Sequence, residues 1–309
     1  MTKQPPSPPK SRFDKMLRDV EDWATDNWPP SGWLDQYLAG ALDRPGLAAD
    51  DMYTLGMHMC SKSLLDAKQG QLTDAIQNMA TGFARRAISC AISITRLKGA
   101  SRTAIEDLDG LTNVIFGTIA LGRPDVAKVL YQEALAGIEG GYGVNDGHNP
   151  EIGTTLRYAA FGLSIISNWL EQPLNLDKHA LPRDPAWGPL VSLWREPDVD
   201  KLLPALLAAC DTHMERIGLT EREGESGNFE FFTPLLAVHP TEILAVLRLR
   251  ELLGLANPRQ IDHPLMQTPY AQISCVPLFL TSRGIRDELL DKFLDTVRRR
   301  DPQVLPKGL

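Results

Sequence analysis

The stretch Leu72 to Leu97, "LTDAIQNMATGFARRAISCAISITRL", decides the fold class. Its apolar or small positions Ile76, Met79, Phe83, Ala87, Cys90, Ile94 and Leu97 recur at spacings of three and four, which keeps one stripe on one side of a helix for about seven turns. A strand would alternate every second residue, and this run does not. The spacing predicts a long central helix. Upstream, Tyr53, Gly56, Met57, Cys60, Leu64 and Ala67 repeat the pattern, and Gly70 separates the two runs as the turn of a helical hairpin.

Downstream the same logic continues. Thr103-Ala-Ile-Glu106 fits a capping box ahead of a stripe formed by Ala104, Leu108, Leu111, Ile115 and Ile119. Gly122 ends that helix, and Pro124 opens another carrying Ala127, Leu130, Tyr131, Ala134 and Ile138. Asn149-Pro150-Glu151 starts a helix with the stripe Ile152, Leu156, Ala159, Leu163, Ile166 and Leu170. Later helices are predicted from Val199 to Ile217, where Pro204 is tolerable only near the first turn, from Pro240 to Leu253, and from about Gly284 through Ile285, Leu289, Phe293 and Val297. The expected architecture is all-α: an antiparallel bundle or a short array of helical hairpins, about ten helices in all.

The expected organisation is a disordered proline-rich tail over 1–10, a helical region over 11–172, a proline-rich connection over 173–189 and a helical region over 190–309 that joins the first in one unit. The 309 residues carry a net charge of -7 and 43% hydrophobic residues, which suits a sizeable core and argues against direct contact with a nucleic-acid backbone. Neither a secretory leader nor a membrane span is expected. The longest uncharged run, Pro264 to Ser282, is broken by Pro269 and Pro277. Cys60, Cys90, Cys210 and Cys275 lie far apart and read as reduced thiols, which places the protein in the cytoplasm.

Candidate chemistry is sparse. "GIEGGYGVNDG" (137–147) places five glycines in eleven residues, but the dinucleotide fingerprint needs a strand before it, and here a helix precedes. It reads as a hinge, exposed beside Glu139 and Asp146. Cys210-x-x-His213 and His58-x-Cys60 resemble metal pairs, but zinc needs three or four ligands and no further pair follows, so neither metal nor cofactor is expected. His239 and His263 precede prolines and suit turns. No nucleophile motif is present, and no catalytic residue is assigned.

Charge says more. Thr220 to Glu230, "TEREGESGNFE", carries Glu221, Glu223, Glu225 and Glu230 against Arg222, a net of -3 in a predicted mobile loop. These acids, with Glu139 and Asp146, are the candidate contacts for a basic protein partner. The helix Thr241 to Glu251 is apolar almost all round, so it should lie deep and force Arg248, Arg250 and Glu251 into pairs or towards the surface.

In the C-terminal third, "FFTPLLAVHPTEILAVLRLRELLGL" (231–255) and "DHPLMQTPYAQISCVPLF" (262–279) resemble the closing region of helical immunity proteins encoded beside bacterial polymorphic toxins. The likeness is to the TsiT-like family that protects against type VI secretion nuclease effectors. Glu242, Arg248, Arg250, His263, Pro264 and Pro269 stand in the matching places, as a structural polar network with its proline-punctuated neighbour. The resemblance implies an all-α fold, no enzymatic activity, and binding to a cognate toxin in the producing cell. Two rivals remain: a helical adaptor or secretion chaperone for an effector, and a helical metal-dependent hydrolase built on His58, His213 or His263.

Overall fold

The computed structural model describes residues 9–26, 29–96, 108–139, 155–224, 226–274 and 287–308. Among these the chain is all-α, with thirteen α-helical segments, nine of them of seven residues or more, and no strand. In order they are α1 (Pro9–Thr25), α2 (Trp33–Leu38), α3 (Pro45–Lys68), α4 (Leu72–Arg96), α5 (Leu108–Ala120), α6 (Pro124–Glu139), α7 (Arg157–Leu170), α8 (Gly188–Leu193), α9 (Val199–Glu215), α10 (Glu221–Gly224), α11 (Pro234–Val238), α12 (Thr241–Leu252) and α13 (Glu288–Arg300). The periodicity reading passes over α1 and α2. Pro9 and Lys10, assigned to the tail, are the first two residues of α1.

The predicted hairpin is α3 and α4. Gly70 turns between them at φ 78°, and the backbone N–H groups of Gln69, Gly70 and Gln71 donate to the last carbonyls of α3. The two helices meet backbone to backbone at Gly56 and Gly82. A Cβ on Gly82 would stand 2.7 Å from the Gly56 carbonyl oxygen and 2.6 Å from Cys60 Sγ. α4 is as long as its stripe predicts, but the centre of the packing is α5. Every residue of α5 except Gly110 is buried, and it packs against α4, α6, α7 and α12. Gly122, at φ 84°, closes the turn after α5, and Pro124 opens α6.

The helices after the proline-rich connection pack on those before it: α12 on α5, α11 on α1, and α13 on α2. The connection itself contributes to the core through Leu176, Leu181 and Trp187, whose indole stacks on Phe161 with centroids 4.5 Å apart. A smaller apolar cluster joins Leu34, Tyr37, Met52, Ile92, Phe293 and Val297 beneath α13.

Some boundaries differ from expectation. Pro204 sits in the second turn of α9, beyond the position where a missing N–H costs nothing, in a helix whose start Asp198 caps at the Asp200 N–H. α13 begins at Glu288, with the Asp287 carboxylate accepting from Leu290 N–H. The box at 103–106, the glycine-rich stretch beyond Glu139, the start at Asn149 to Glu151 and the Gly284–Ile285 start lie outside the described residues. No helix among the described residues is long and apolar enough to cross a membrane.

Backbone contact leaves no room at the hairpin seam. Gly82→Ala is therefore expected to lower unfolding stability by about 1–3 kcal/mol, with little change in helix content. Chemical denaturation measures it, and an unchanged midpoint would mean that the α3–α4 distance is not tight.

Candidate functional site

The most concentrated ionisable chemistry lies where α9 meets α12. His213 Nδ1 is 2.6 Å from Glu242 Oε1, Nε2 is 3.0 Å from the Ala237 carbonyl oxygen, and both residues are fully buried. A carbonyl only accepts, so Nε2 carries a proton and donates it there. One further proton serves the Nδ1–Oε1 contact. Whether ring or acid holds it, the pair carries no net charge, which is how an acid and a base tolerate an interior.

Phe231 stacks on the His213 ring at 4.0 Å between centroids. The Tyr158 hydroxyl lies 3.4 Å from Glu242 Oε2, and burial, then the Glu242 charge, holds that phenol well above its ordinary range. Burial likewise pushes the Cys210 thiol up. His239 donates from Nδ1 to the Tyr270 carbonyl oxygen at 3.0 Å, and burial pushes it down to about 4, so it is neutral.

A second cluster adjoins the first. Asp109, in the first turn of α5, accepts from the backbone N–H groups of Thr155 (2.6 Å), Leu156 (3.1 Å) and Ala159 (2.8 Å), so its carboxylate caps α7 from another helix. The Thr155 hydroxyl donates to Glu230 Oε1 at 2.6 Å. Glu230 belongs to a strap that runs beside the end of α9: its N–H and that of Phe231 donate to the Arg216 carbonyl, and Gly218 N–H donates to the Phe231 carbonyl. Arg216 in turn pairs with Asp184 at 2.7 Å. Glu230 is 6% exposed with Oε2 lacking a partner, and burial pushes its carboxyl up to about 7.

The acids predicted as partner contacts separate on this map. Glu221 is exposed in α10. Glu223 is committed internally: both of its carboxylate oxygens accept from Arg12 of α1, at 2.6 and 2.9 Å, and Oε2 also accepts from Leu219 N–H. The loop expected to be mobile is thus pinned by an arginine that is itself 2% exposed, bonded to the Ile217 carbonyl and lying over the Phe229 ring. Glu230 offers no surface carboxylate. Glu139 is exposed at the end of α6, 3.9 Å from Lys178. Glu225 and Asp146 lie outside the described residues.

The residues expected in a polar network do not form a single group. Arg250 is fully buried and donates to the carbonyls of Trp194, Glu196 and Ala256 and to Asn257 Oδ1, tying the turn after α12 to the end of α8. Arg248 makes a partly exposed pair with Glu251 at 2.9 Å. His263 caps residues 264–267 through Nδ1, and its Nε2 donates to Asp211 Oδ1 at 3.2 Å.

Glu242 belongs with His213, which the sequence offered as a metal candidate. Among the described residues, no three His, Cys, Asp or Glu side chains are arranged to hold a metal ion. Arg12, Asp109 and Asp184 carry no local signal, because their partners are distant in sequence. In comparisons with known proteins, the chain matches no family model, no curated protein and no solved structure.

Two outcomes follow from the burial of these acids. Because Glu230 titrates higher folded than unfolded, its contribution is fully present below the unfolded value of 4.5 and is lost as pH rises through about 7. Glu230→Gln should remove on the order of 3 kcal/mol of that alkaline loss, read as a flatter unfolding free energy between acid and neutral buffers. Parallel profiles for the two proteins would refute the assignment. Glu242→Ala strands His213 in the interior and should cost about 3–5 kcal/mol, measured by urea unfolding.

Proposed function

We propose that this protein is a non-catalytic immunity protein: it binds a cognate toxin effector, a basic nuclease domain, and neutralises it stoichiometrically in the cytoplasm of the producing bacterial cell. The observation that carries the reading is how the ionisable groups are disposed. His213, Glu242, His239 and Cys210 are fully buried and turned inward, and the chain as a whole carries a net charge of -7. A sealed interior in an acidic chain suits recognition of a cationic protein face, and a nuclease domain presents such a face because it binds phosphate. The resemblance of the segments at 231–255 and 262–279 to toxin-immunity proteins supports the same reading.

The contact surface we propose centres on Glu221 with Asp211 and Glu215, which are exposed four residues apart on one face of α9. Arg12 and Glu223 hold α10 in place, so Glu221 is presented on a fixed support and little ordering entropy is lost on contact. Glu223 and Glu230 serve as scaffold for this surface.

Co-expression with the product of the adjacent gene tests the function. Growth should be restored and the two proteins should co-purify; co-purification without rescue would make the protein a carrier, and absence of both would end the proposal. The double variant Glu215→Lys/Glu221→Lys should associate roughly tenfold more slowly at low salt and lose most of its salt dependence, with its circular dichroism unchanged. Equal association rates would move the interface elsewhere.

A further inference from the structure

The segment that covers the His213–Glu242 pair is fastened by few bonds. Phe231 stacks on the His213 ring and meets Tyr158 edge-on, with centroids 5.5 Å apart. Glu230 N–H and Phe231 N–H both donate to the Arg216 carbonyl, and Gly218 N–H donates to the Phe231 carbonyl. Ile217 and Phe231 form one isolated parallel pair, which no strand extends among the described residues. Residues 228–231 are thus a strap with one ionisable side chain, Glu230.

That side chain is poorly met as an anion. Glu230 is 6% exposed, Oε1 accepts from the Thr155 hydroxyl at 2.6 Å, and Oε2 is buried with no partner. No cation pairs with it. Arg216, at the end of α9, commits its guanidinium to Asp184 Oδ2 at 2.7 Å and to the Asn228 carbonyl at 3.2 Å. From α5 a second carboxyl faces the same hydroxyl, since Asp109 Oδ2 lies 3.4 Å from Thr155 Oγ1. One hydroxyl proton cannot serve two carboxylates. Arg12 of α1 lies over Phe229 but is bonded to Glu223, and His213 and Glu242 behind Phe231 neutralise each other.

The protonated acid fits this site. Its Oε1–H can donate to the Thr155 oxygen, whose own proton then turns towards Asp109, and a neutral carboxyl needs no counter-ion. Once ionised, Glu230 gains most from water, which it reaches by leaving the interior. We propose that residues 228–231 form a proton-dependent latch over His213 and Glu242: the strap stays seated while Glu230 is protonated, and it lifts when Glu230 gives its proton to solvent. Phe231 then leaves the His213 ring, and water reaches the acid–base pair. The bridge from Arg12 to Glu223 holds α10 in either form, so the opening is local. The seated form binds the proton more tightly than the lifted one, so lifting becomes easier as pH rises above 4.5 and levels off beyond about 7. No partner is involved, so the latch stands or falls separately from the proposed function.

Hydrogen exchange on the full-length protein tests it, comparing peptides over 226–232 with peptides of α5 after correction for intrinsic exchange. Between about pH 5 and pH 8, protection of the strap should fall by on the order of tenfold or more. At every pH it should be lower than that of α5 and indifferent to sub-denaturing urea, because a local opening exposes little surface. Glu230→Gln keeps the shape and cannot ionise, so its strap should hold level protection across the same range. A level wild-type profile overturns the proposal without any variant having to fold. Equal protection and equal urea dependence in the strap and α5 would make the opening global, which also overturns it. So does a Glu230→Gln protein that folds and loses strap protection as the parent does.

Discussion

Asp109 is a carboxylate in the first turn of a helix that has no exposed side, and the arrangement around it depends on how that charge is met. An isolated carboxylate in such a place is costly, and three backbone N–H groups at the start of α7 meet it with charge-assisted hydrogen bonds. The cap is tertiary: α5 supplies the acid and α7 supplies the donors, so neither the Asp109 charge nor the first amides of α7 are satisfied by this contact unless the two helices are docked. Leu156 takes the left-handed conformation at φ 62° directly before α7, next to the capped amides. Thr155 extends the link to Glu230, and through Glu230 to the strap at the end of α9, so one carboxylate connects the buried centre to the surface face proposed for partner binding.

The same constraint governs the other interior charges. Arg250 is surrounded by carbonyl oxygens where a carboxylate would be the simpler partner, and it thereby fastens two chain segments that have few other backbone bonds. Arg12 satisfies a carbonyl and a carboxylate at once and closes the N-terminal helix over residues 217–223. His213 and Glu242 neutralise each other. Arg86 departs from this pattern, since its guanidinium is met by the faces of Phe83 and Tyr53 and by the Tyr53 hydroxyl, with no carboxylate or carbonyl in reach among the described residues.

For function, the rigid placement of the 220–230 segment matters more than its composition. Four glutamates in one run suggested a diffuse acidic loop. Pinned by Arg12, residues 221–224 form a short helix with Glu221 exposed and Glu223 turned to that arginine. Such a surface can orient a cationic partner as well as attract it.

Most of the long helices are legible in local sequence pattern, although α1 is not. The stripes of α3, α4 and α6, the all-round apolar run of α12, the hairpin turn at Gly70 and the stop at Gly122 before Pro124 were all legible, because helix periodicity, left-handed glycine and proline geometry act over a few residues. Packing between distant segments is what makes α5 central, brings Trp187 of the proline-rich connection into the core, and sets which glutamates face water. Glu223 and Glu230 look alike in the sequence as members of one acidic run. What separates them from Glu221 is an arginine 211 residues away and a threonine 75 residues away. Burial and charge pairing are properties of neighbours in space, and no local pattern records them.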